Sequence, residues 1–349
     1  MVLGRNVRNL AMGLTVAGLF LLLLNLLAAG WEWFQYGTLR RDGRPVGLYV
    51  EEVRNGRRRL HLRPGARLHG VLYKVDINTL GFRGSELAVP KPPGTFRVWC
   101  VGGSTTFDIY ASSNEATWPA RLEALLSARS KRVRVEVVNA GIPGENLDGS
   151  LEDFERFYPT VRPDVLVVYH GPNDIQRGLD EVFGFPHAPD SVPPLPDFAL
   201  IRFLSREVAD PAELERMNRE VNEDVLDLVE RRIVRLLDAA EARGVRVVMA
   251  THAFRAEKGA RGEVARKQVG RCAAIYMMVP DRVVEGIDRL NDLIVRLAAR
   301  RGLPVADVRA AVPPEDRYWG DALHFSDAGS ELAARAIADT FARAGLVPP

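Results

Sequence analysis

The sequence predicts an α/β protein built on a parallel sheet, and three observations lead to this fold class. Short apolar runs alternate with helix-period segments from Gly94 onward. Such alternation is typical of parallel βαβ units. Glycines and polar residues directly follow the predicted strands, which is where an open α/β sheet binds its ligands. We therefore expect a main domain over residues 94–349 with its functional groups along one edge of the sheet.

The composition is that of a globular protein without a strong overall charge. The chain has 349 residues, 47% of them apolar, which is enough to bury a full core. Its 47 basic and 45 acidic residues nearly cancel, so nothing favours nucleic acid as a partner. Cys100 and Cys272 lack metal spacing and form either two buried thiols or one disulfide. No His or carboxylate spacing indicates a metal site, and no cofactor is expected.

The N-terminal region is predicted to be a membrane anchor. Residues 1–9 would be a short cytoplasmic N-terminus, and residues 10–30 contain no charged side chain. At about 1.5 Å per residue, Leu10 to Ala29 is long enough to cross a hydrocarbon layer of about 30 Å. The aromatic residues that follow are typical of a membrane interface: Trp31, Trp33, Phe34 and Tyr36.

Two alternatives to an uncleaved anchor remain open at this stage. The small residues Ala28-Ala29-Gly30 would suit cleavage of a signal peptide, although the apolar stretch is longer than most such peptides have. A buried core helix is the other alternative. Because so few residues precede the span, we expect a single-pass protein whose main domain lies on the extracytoplasmic (periplasmic or outer) side.

Residues 31–93 are predicted to form a small β-rich stalk. Alternating runs flank Asn55-Gly56, a dipeptide that strongly favours a hairpin turn. Three prolines then mark a linker into the main domain: Pro90, Pro92 and Pro93.

The main domain is predicted to contain five strands, at Arg97 to Val101, Val133 to Val138, Asp164 to Tyr169, Val245 to Thr251 and Val305 to Val308. Helical periodicity begins at Leu147 and recurs in a long segment that runs from a capping box at Asp210-Pro211-Ala212-Glu213 to Gly244. Further helices are expected from Asp281 to Arg301 and after Ser326.

Two segments interrupt this alternation as lid-like insertions. Residues 176–209 are rich in proline and phenylalanine, a composition that indicates a long loop over the site. Residues 254–279 are rich in arginine and lysine, which indicates either a solvated face or a site for an anionic glycan or lipid head group.

The candidate catalytic groups follow the five strands in turn. They are Ser104 after the first strand, the Asn139–Gly144 turn after the second, Gly171-Pro172-Asn173-Asp174 after the third, His252 after the fourth, and Asp321 with His324 after the fifth. A serine nucleophile needs an imidazole to take its proton and a carboxylate to orient that imidazole. The oxyanion of the intermediate needs preorganised N–H donors. A phosphate-cradling serine is the alternative, but no Gly-Lys-Ser/Thr pattern accompanies Ser104.

These four blocks resemble those of the SGNH, or GDSL-like, serine hydrolase superfamily over about Gly94 to Ala344. The resemblance implies a three-layer α/β sandwich whose five parallel strands run in flavodoxin-like order. It also implies Ser104 as nucleophile, His324 as general base, Asp321 as its orienting acid, and an oxyanion hole from Ser104, Gly144 and Asn173. Gly141 is the alternative to Gly144. The common Gly-Asp-Ser-Leu of the superfamily is here Gly102-Gly103-Ser104-Thr105, a variant associated with its envelope-linked members.

The function expected from this resemblance is that of a serine esterase acting through an acyl-enzyme on Ser104. Its substrate would be a carbohydrate or lipid that carries a short acyl group such as acetyl. An O-acyltransferase of cell-envelope glycans that uses the same triad is one alternative, and a non-catalytic envelope scaffold is another. Possible substrate-binding residues are Gly103, Thr105, Asp174 and His252, the last of which could instead be structural.

Overall fold

The computed structural model of the chain describes residues 2–41, 44–54, 57–130, 132–184 and 211–347. The predicted hairpin turn at Asn55-Gly56, most of the predicted lid over 176–209, and Asp210 of the predicted capping box lie outside the described residues.

The secondary structure alternates as the sequence predicts. The strands, in chain order, are β1 Arg40–Arg41, β2 Arg44–Pro45, β3 Tyr49–Arg54, β4 Arg57–Leu62, β5 Arg67–His69, β6 Lys74–Asp76, β7 Thr95–Gly102, β8 Arg134–Gly141, β9 Val165–Tyr169, β10 Arg246–Ala250 and β11 Val305–Ala306. The helices are α1 Val2–Tyr36, α2 Ser104–Phe107, α3 Trp118–Arg129, α4 Leu147–Val161, α5 Pro172–Phe183, α6 Pro211–Met217, α7 Glu223–Glu241, α8 Gly262–Tyr276, α9 Pro280–Arg301, α10 Val308–Ala311 and α11 Asp327–Arg343. A short 3₁₀ turn spans Asp316–Tyr318.

The central sheet confirms the predicted fold class. Its five strands are ordered β8-β7-β9-β10-β11, and every neighbouring pair is parallel. Counted along the chain this is the order 2-1-3-4-5 of flavodoxin-like folds. Helices α4, α5, α7, α8 and α9 supply the core on one face of the sheet, and α3, α10 and α11 supply it on the other. The carboxyl ends of the five strands therefore meet at one edge.

The two cysteines are free thiols on opposite faces of this sheet. Cys100 belongs to the core beneath α3, whereas Cys272 on α8 belongs to the core of the other face. Burial raises the pKa of the Cys272 thiol to about 12, and that of the Cys100 thiol lies well above its ordinary value for the same reason. Both side chains are therefore protonated packing residues at neutral pH.

The long helix predicted between Asp210 and Gly244 is wrong as a single element. Helix α6 ends at Met217, and Asn218 then adopts the left-handed conformation with φ +48°. Asn222 starts α7 anew, because its side chain accepts a hydrogen bond from the Val225 N–H at 3.0 Å. An asparagine tolerates the left-handed region and caps a helix start, so local backbone chemistry outweighs a continuous apolar period here.

The N-terminal segment joins the main domain through a shared core. Helix α1 continues past the apolar stretch to Tyr36, and the Phe34 carbonyl accepts a hydrogen bond from the Val71 N–H at 2.8 Å. The hairpins β3–β4 and β5–β6 bury Leu48, Leu62, Ala66, Leu68, Tyr73, Val75 and Ile77 against Phe107 and Ile142. Phe107 closes α2, and Ile142 directly follows β8, so this core touches the edge of the sheet where the candidate catalytic residues lie.

A buried ion pair ties the sheet to its surroundings. Arg97 on β7 is fully buried and donates from Nε and Nη2 to one carboxylate oxygen of Glu136 on β8, at 2.8 and 2.6 Å. Its remaining donors bond the carbonyl oxygens of Val161 at 2.6 Å and Ala88 at 2.9 Å. One side chain thus connects two strands, the end of α4 and the segment that enters the domain.

We predict that Arg97→Met lowers the free energy of unfolding by about 3–5 kcal/mol, because the buried Glu136 carboxylate loses its buried partner and keeps only the exposed Arg134, 3.2 Å from its other oxygen. Chemical unfolding of the detergent-solubilised protein, followed by tryptophan fluorescence, measures the change. Arg335→Met is the control: this exposed arginine bonds Glu331 at the surface and should cost about 1 kcal/mol or less. Equal losses in the two variants would contradict a special role for the buried pair.

Candidate active site

Ser104 lies at the sharp turn between β7 and α2. Gly102 ends the strand, Gly103 precedes the helix, and Ser104 is its first residue. A Cβ at Gly102 would lie 2.0 Å from Thr106 Oγ1, and one at Gly103 would lie 2.5 Å from Asn173 Nδ2. A side chain at Gly102 would clash with Thr106 and with the Tyr169 backbone, and one at Gly103 would displace the Asn173 amide. The Gly-Gly pair thus lets the chain turn and lets the Asn173 amide approach the turn before Ser104.

The structure brings Ser104, His324 and Asp321 together in one hydrogen-bonded chain. Ser104 Oγ lies 2.7 Å from His324 Nε2. On the other side of the ring, His324 Nδ1 lies 2.9 and 2.8 Å from the two carboxylate oxygens of Asp321. A carboxylate only accepts hydrogen bonds, so Nδ1 carries the proton, and Nε2 is left to accept the serine hydroxyl proton. This is the arrangement that a nucleophilic serine requires.

The Asp-x-x-His spacing itself fixes the geometry of the acid. The backbone N–H groups of Leu323 and His324 both donate to Asp321 Oδ1, at 2.7 and 2.9 Å. Burial by itself would raise the pKa of Asp321, but the hydrogen bond and charge of His324, together with these two N–H groups, outweigh it and hold the pKa below its ordinary value. The carboxylate is therefore ionised at neutral pH and stabilises a positive charge on His324.

Asn173 lies beside the nucleophile turn, at the second position of α5. Its Nδ2 donates to the Glu145 carbonyl at 2.7 Å, which fixes the orientation of the amide. Gly144 precedes Glu145 and has φ +86°, a conformation that favours glycine. Gly141, by contrast, is the last residue of β8, and its N–H already donates to Asn139 Oδ1 at 3.1 Å. Of the two glycines, Gly144 is the one next to Asn173.

Arg59 on β4 holds the loop that contains Gly144 and Glu145. Its guanidinium lies 2.6 Å from the Glu145 carboxylate, 2.7 Å from Glu152 and 3.3 Å from Asp153. Burial raises the pKa of Asp153 to about 7, and the charge of Arg59 opposes that shift. An arginine from the N-terminal segment therefore anchors the residue whose carbonyl orients Asn173. The sequence held no local signal for this contact, since it joins positions 86 residues apart.

Three residues named as possible substrate contacts lie in the interior. Asp174 is fully buried and accepts from the Leu147 N–H at 2.8 Å and bonds His170 at 3.2 Å. Thr105 is a buried residue of α2, and its carbonyl accepts a hydrogen bond from the Trp118 indole N–H. His252 is fully buried, stacks on Tyr169 at 4.9 Å and has its pKa lowered to about 3 by burial, so it is neutral. The fourth, Gly103, adjoins Ser104.

The sequence analysis did not identify Tyr110, whose ring lies 5.8 Å from that of His324. A Cβ at Gly320 would lie 2.4 Å from the Tyr110 ring, so that glycine makes room for the tyrosine. Burial, and then the negative charge of Asp321, raise the pKa of Tyr110 to about 12. Tyr110 therefore forms a neutral aromatic wall beside the catalytic imidazole.

Three cavities meet at Gly144, with volumes of about 300, 340 and 460 Å³. The first lies against Arg59, the second against Tyr110, and the third against Asn173. A larger cavity of about 560 Å³ lies around Arg134 and Glu136, away from Ser104 and His324. The three cavities at Gly144 lie next to the candidate site residues, because one is lined by Asn173 and another by Tyr110, whose ring lies beside that of His324. Among the described residues, no cluster of His, Cys, Asp and Glu could hold a metal ion.

Comparison with solved structures finds similar folds at low identity. An acetylxylan esterase from Geobacillus stearothermophilus is 16% identical, with a TM-score of 0.43 over 70% of this chain and 93% of its own. A member of the lipolytic protein G-D-S-L family from Veillonella parvula is 15% identical, with a TM-score of 0.44 over 71% and 99%. A GDSL-like lipase from Bacteroides thetaiotaomicron is 14% identical, with a TM-score of 0.41 over 71% and 88%.

Comparison with curated proteins gives no match. The family comparison does: residues 100–332, more than half of the chain, match the profile of the GDSL-like lipase/acylhydrolase family. This range begins within β7 and includes both Ser104 and His324. The chain thus belongs to the GDSL-like lipase/acylhydrolase family and is an ester-cleaving serine hydrolase.

Proposed function

We propose that the protein is a membrane-anchored esterase that removes short acyl groups from a polar, carbohydrate-like or lipid-linked alcohol. The observation that carries the proposal is the 2.7 Å contact between Ser104 Oγ and His324 Nε2, continued to the Asp321 carboxylate. The cavity beside Asn173 supports a polar substrate, because its lining side chains are those of Asn146, Asn173, Gln176, Arg177, Asp180 and Glu181. None of the described residues that line this cavity has an aliphatic or aromatic side chain, so it offers a long acyl chain little to pack against.

In the proposed reaction, Ser104 Oγ attacks the ester carbonyl as His324 Nε2 takes the hydroxyl proton. The negative charge on the carbonyl oxygen is stabilised by the N–H groups of Ser104 and Gly144 and by the Asn173 amide. His324 then gives its proton to the departing alcohol, which leaves an acyl group on Ser104. Water, deprotonated by His324, attacks this acyl-enzyme, and the acid departs as Ser104 recovers its proton. A sugar hydroxyl in place of that water would make the same site an O-acyltransferase.

We predict that Ser104→Ala, Asp321→Asn and His324→Ala each lower kcat on a small acetyl ester by roughly 10³-fold or more, and that their effects are not additive. Release of free acetate measures hydrolysis, and acetylation of an added oligosaccharide measures transfer. Ser127→Ala, on the exposed face of α3, is the control and should retain full activity. A folded Ser104→Ala variant with undiminished activity would overturn the acyl-enzyme mechanism.

We propose further that Arg59 positions the oxyanion loop. Removing an oxyanion donor typically costs about 10²- to 10³-fold in kcat. Arg59 acts on such a donor indirectly, because it pairs with Glu145, whose carbonyl orients the Asn173 amide. We predict that Arg59→Gln lowers kcat by about 10-fold and changes KM little, because the loop loses its anchor while the substrate cavities remain.

Arg156 provides a matched control for this prediction. It also links the β3–β4 hairpin to α4, by a 2.8 Å bond to Glu52, but it does not contact the Gly144–Glu145 loop. Arg156→Gln should leave kcat within about 2-fold of the parent, and Arg59→Lys should recover part of the loss because it keeps the charge. A similar loss in both glutamine variants, or a rise in KM alone, would refute positioning by Arg59.

The membrane anchor is the remaining part of the proposal. Within the segment Met12–Tyr36, an 18-residue window has a mean hydropathy of 2.2, and the segment is long and apolar enough to cross a membrane, a property that signal sequences share. Two contacts support an uncleaved helix: the Phe34 carbonyl bonds Val71, and the Tyr36 ring packs edge-on against Tyr73 at 5.5 Å. Cleavage after Gly30 would therefore cut within a helix whose last turn is docked on the body. We place that body on the extracytoplasmic side.

We predict that the full-length protein stays in the membrane fraction after high-salt and alkaline washes, because a spanning apolar helix does not detach reversibly. Mass spectrometry of the purified protein should find the N-terminal segment intact. Protease added to intact spheroplasts should digest the catalytic domain if that domain lies outside the cytoplasm. A soluble chain that begins at Trp31 would contradict the anchor, and a protected domain would contradict the orientation.

A further inference from the structure

The cavity next to Tyr110 connects the reacting groups with the end of α1. We call this 340 Å³ space the tyrosine cavity; its walls include Tyr36, Tyr49, Tyr110, Arg40, Arg44 and Gly144. Gly144 belongs to the proposed oxyanion hole, and the Tyr110 ring lies beside His324. The leaving alcohol of an ester receives its proton from His324, so it must lie next to that imidazole. The tyrosine cavity is thus placed to receive the alcohol part of the substrate.

The chemistry of the walls favours an anion. Arg40 and Arg44 both face the cavity, and none of the described residues that line it is acidic. Arg44 also borders the neighbouring cavity against Arg59, so its charge lies close to the Gly144 loop from that side as well. Burial keeps the pKa of Tyr49 above its ordinary value, so this side chain is a neutral hydroxyl that can donate a hydrogen bond. Arginines and tyrosine hydroxyls together are typical recognition groups for phosphate.

The position of the cavity indicates where such an anion would come from. Tyr36 is the last residue of α1, and the exposed Trp31, Trp33 and Phe34 lie within about one and a half turns of it, or roughly 3–8 Å along the helix. Exposed aromatic residues at the end of an apolar helix typically lie at the level of the lipid head groups. A cavity this close to the aromatic residues opens at the same level.

We propose that the tyrosine cavity binds the phosphate-bearing alcohol part of a membrane amphiphile, from which the enzyme removes an acyl group. This inference rests on the proposed esterase function and names its substrate class. The residues that would select this substrate, Tyr36, Arg40 and Arg44, all precede the region that matches the family.

The test compares two small esters that differ only in a phosphate group, 1-acetylglycerol and 1-acetylglycerol 3-phosphate, with the full-length protein in detergent. We expect the phosphate ester to have the higher kcat/KM, by about 10-fold, which is the contribution of about one charge-assisted hydrogen bond. Arg44→Gln should reduce this ratio to about 1. Arg41→Gln, which changes the exposed neighbouring strand residue outside the cavity, should leave the ratio unchanged.

The outcomes separate the two proposals. If neither ester is cleaved, the esterase function itself fails. If 1-acetylglycerol is cleaved but the phosphate gives no advantage, or if Arg44→Gln and Arg41→Gln change the ratio equally, the anion site is overturned while the esterase stands. The source of the phosphate is tested by competition: phosphatidylcholine vesicles that contain phosphatidic acid should inhibit more strongly than the same concentration of glycerol 3-phosphate. Equal inhibition would overturn the membrane amphiphile as occupant.

Discussion

The close approach of backbones at the carboxyl ends of β7 and β8 is the constraint on which the site depends. A Cβ at Gly141 would lie 2.0 Å from the Phe107 N, so the end of β8 packs directly on α2. Gly102 and Gly103 allow the same closeness on the side of Thr106 and Asn173. Without side chains at these three positions, a four-residue helix fits onto the sheet edge, and its first residue, Ser104, faces the cleft. The three glycines, which have no side chains, therefore contribute to the position of Ser104 as much as its hydrogen bonds do.

The N-terminal segment packs against the candidate active site, although the family match begins only at residue 100. Its hairpins share a core with Phe107 and Ile142, which adjoin the nucleophile helix and the oxyanion loop. Arg59 adds a charged contact to that loop at 2.6 Å. Since α1 ends inside the same segment, any restraint on α1 is transmitted to the site by packed contacts. The proposed membrane anchor, the proposed substrate cavity and the proposed oxyanion loop therefore all contact the same N-terminal segment.

Features that depend on residues close together in the sequence could be predicted, whereas features that depend on contacts between distant residues could not. The five strands, the Asp-x-x-His element and the helix start after Ser326 depend on neighbouring residues, and the sequence indicated all of them. Gly144 could not be separated from Gly141 until the structure showed that the Gly141 N–H bonds Asn139. Arg59 and Tyr110 reach the site only through tertiary packing. The prediction of a single long helix was wrong for another reason. The apolar period continues across Asn218, but the helical backbone is interrupted there.

A second Ser-His-Asp chain in the same fold shows why residue types alone do not define a catalytic site. Ser150 Oγ lies 2.8 Å from His170 Nε2, and His170 Nδ1 lies 3.2 Å from Asp174. The contacts nearly match those of the triad, yet all three residues are buried, and no substrate carbonyl can approach the serine. Asp174 instead accepts a hydrogen bond from the first N–H of α4, at Leu147. The Ser150-His170-Asp174 hydrogen bonds therefore hold α4 and α5 together behind Asn173. Ser104 differs because it follows a strand end and is only partly buried, and cavities open along the nearby residues Tyr110 and Asn173. Such access separates a candidate nucleophile from a structural hydroxyl.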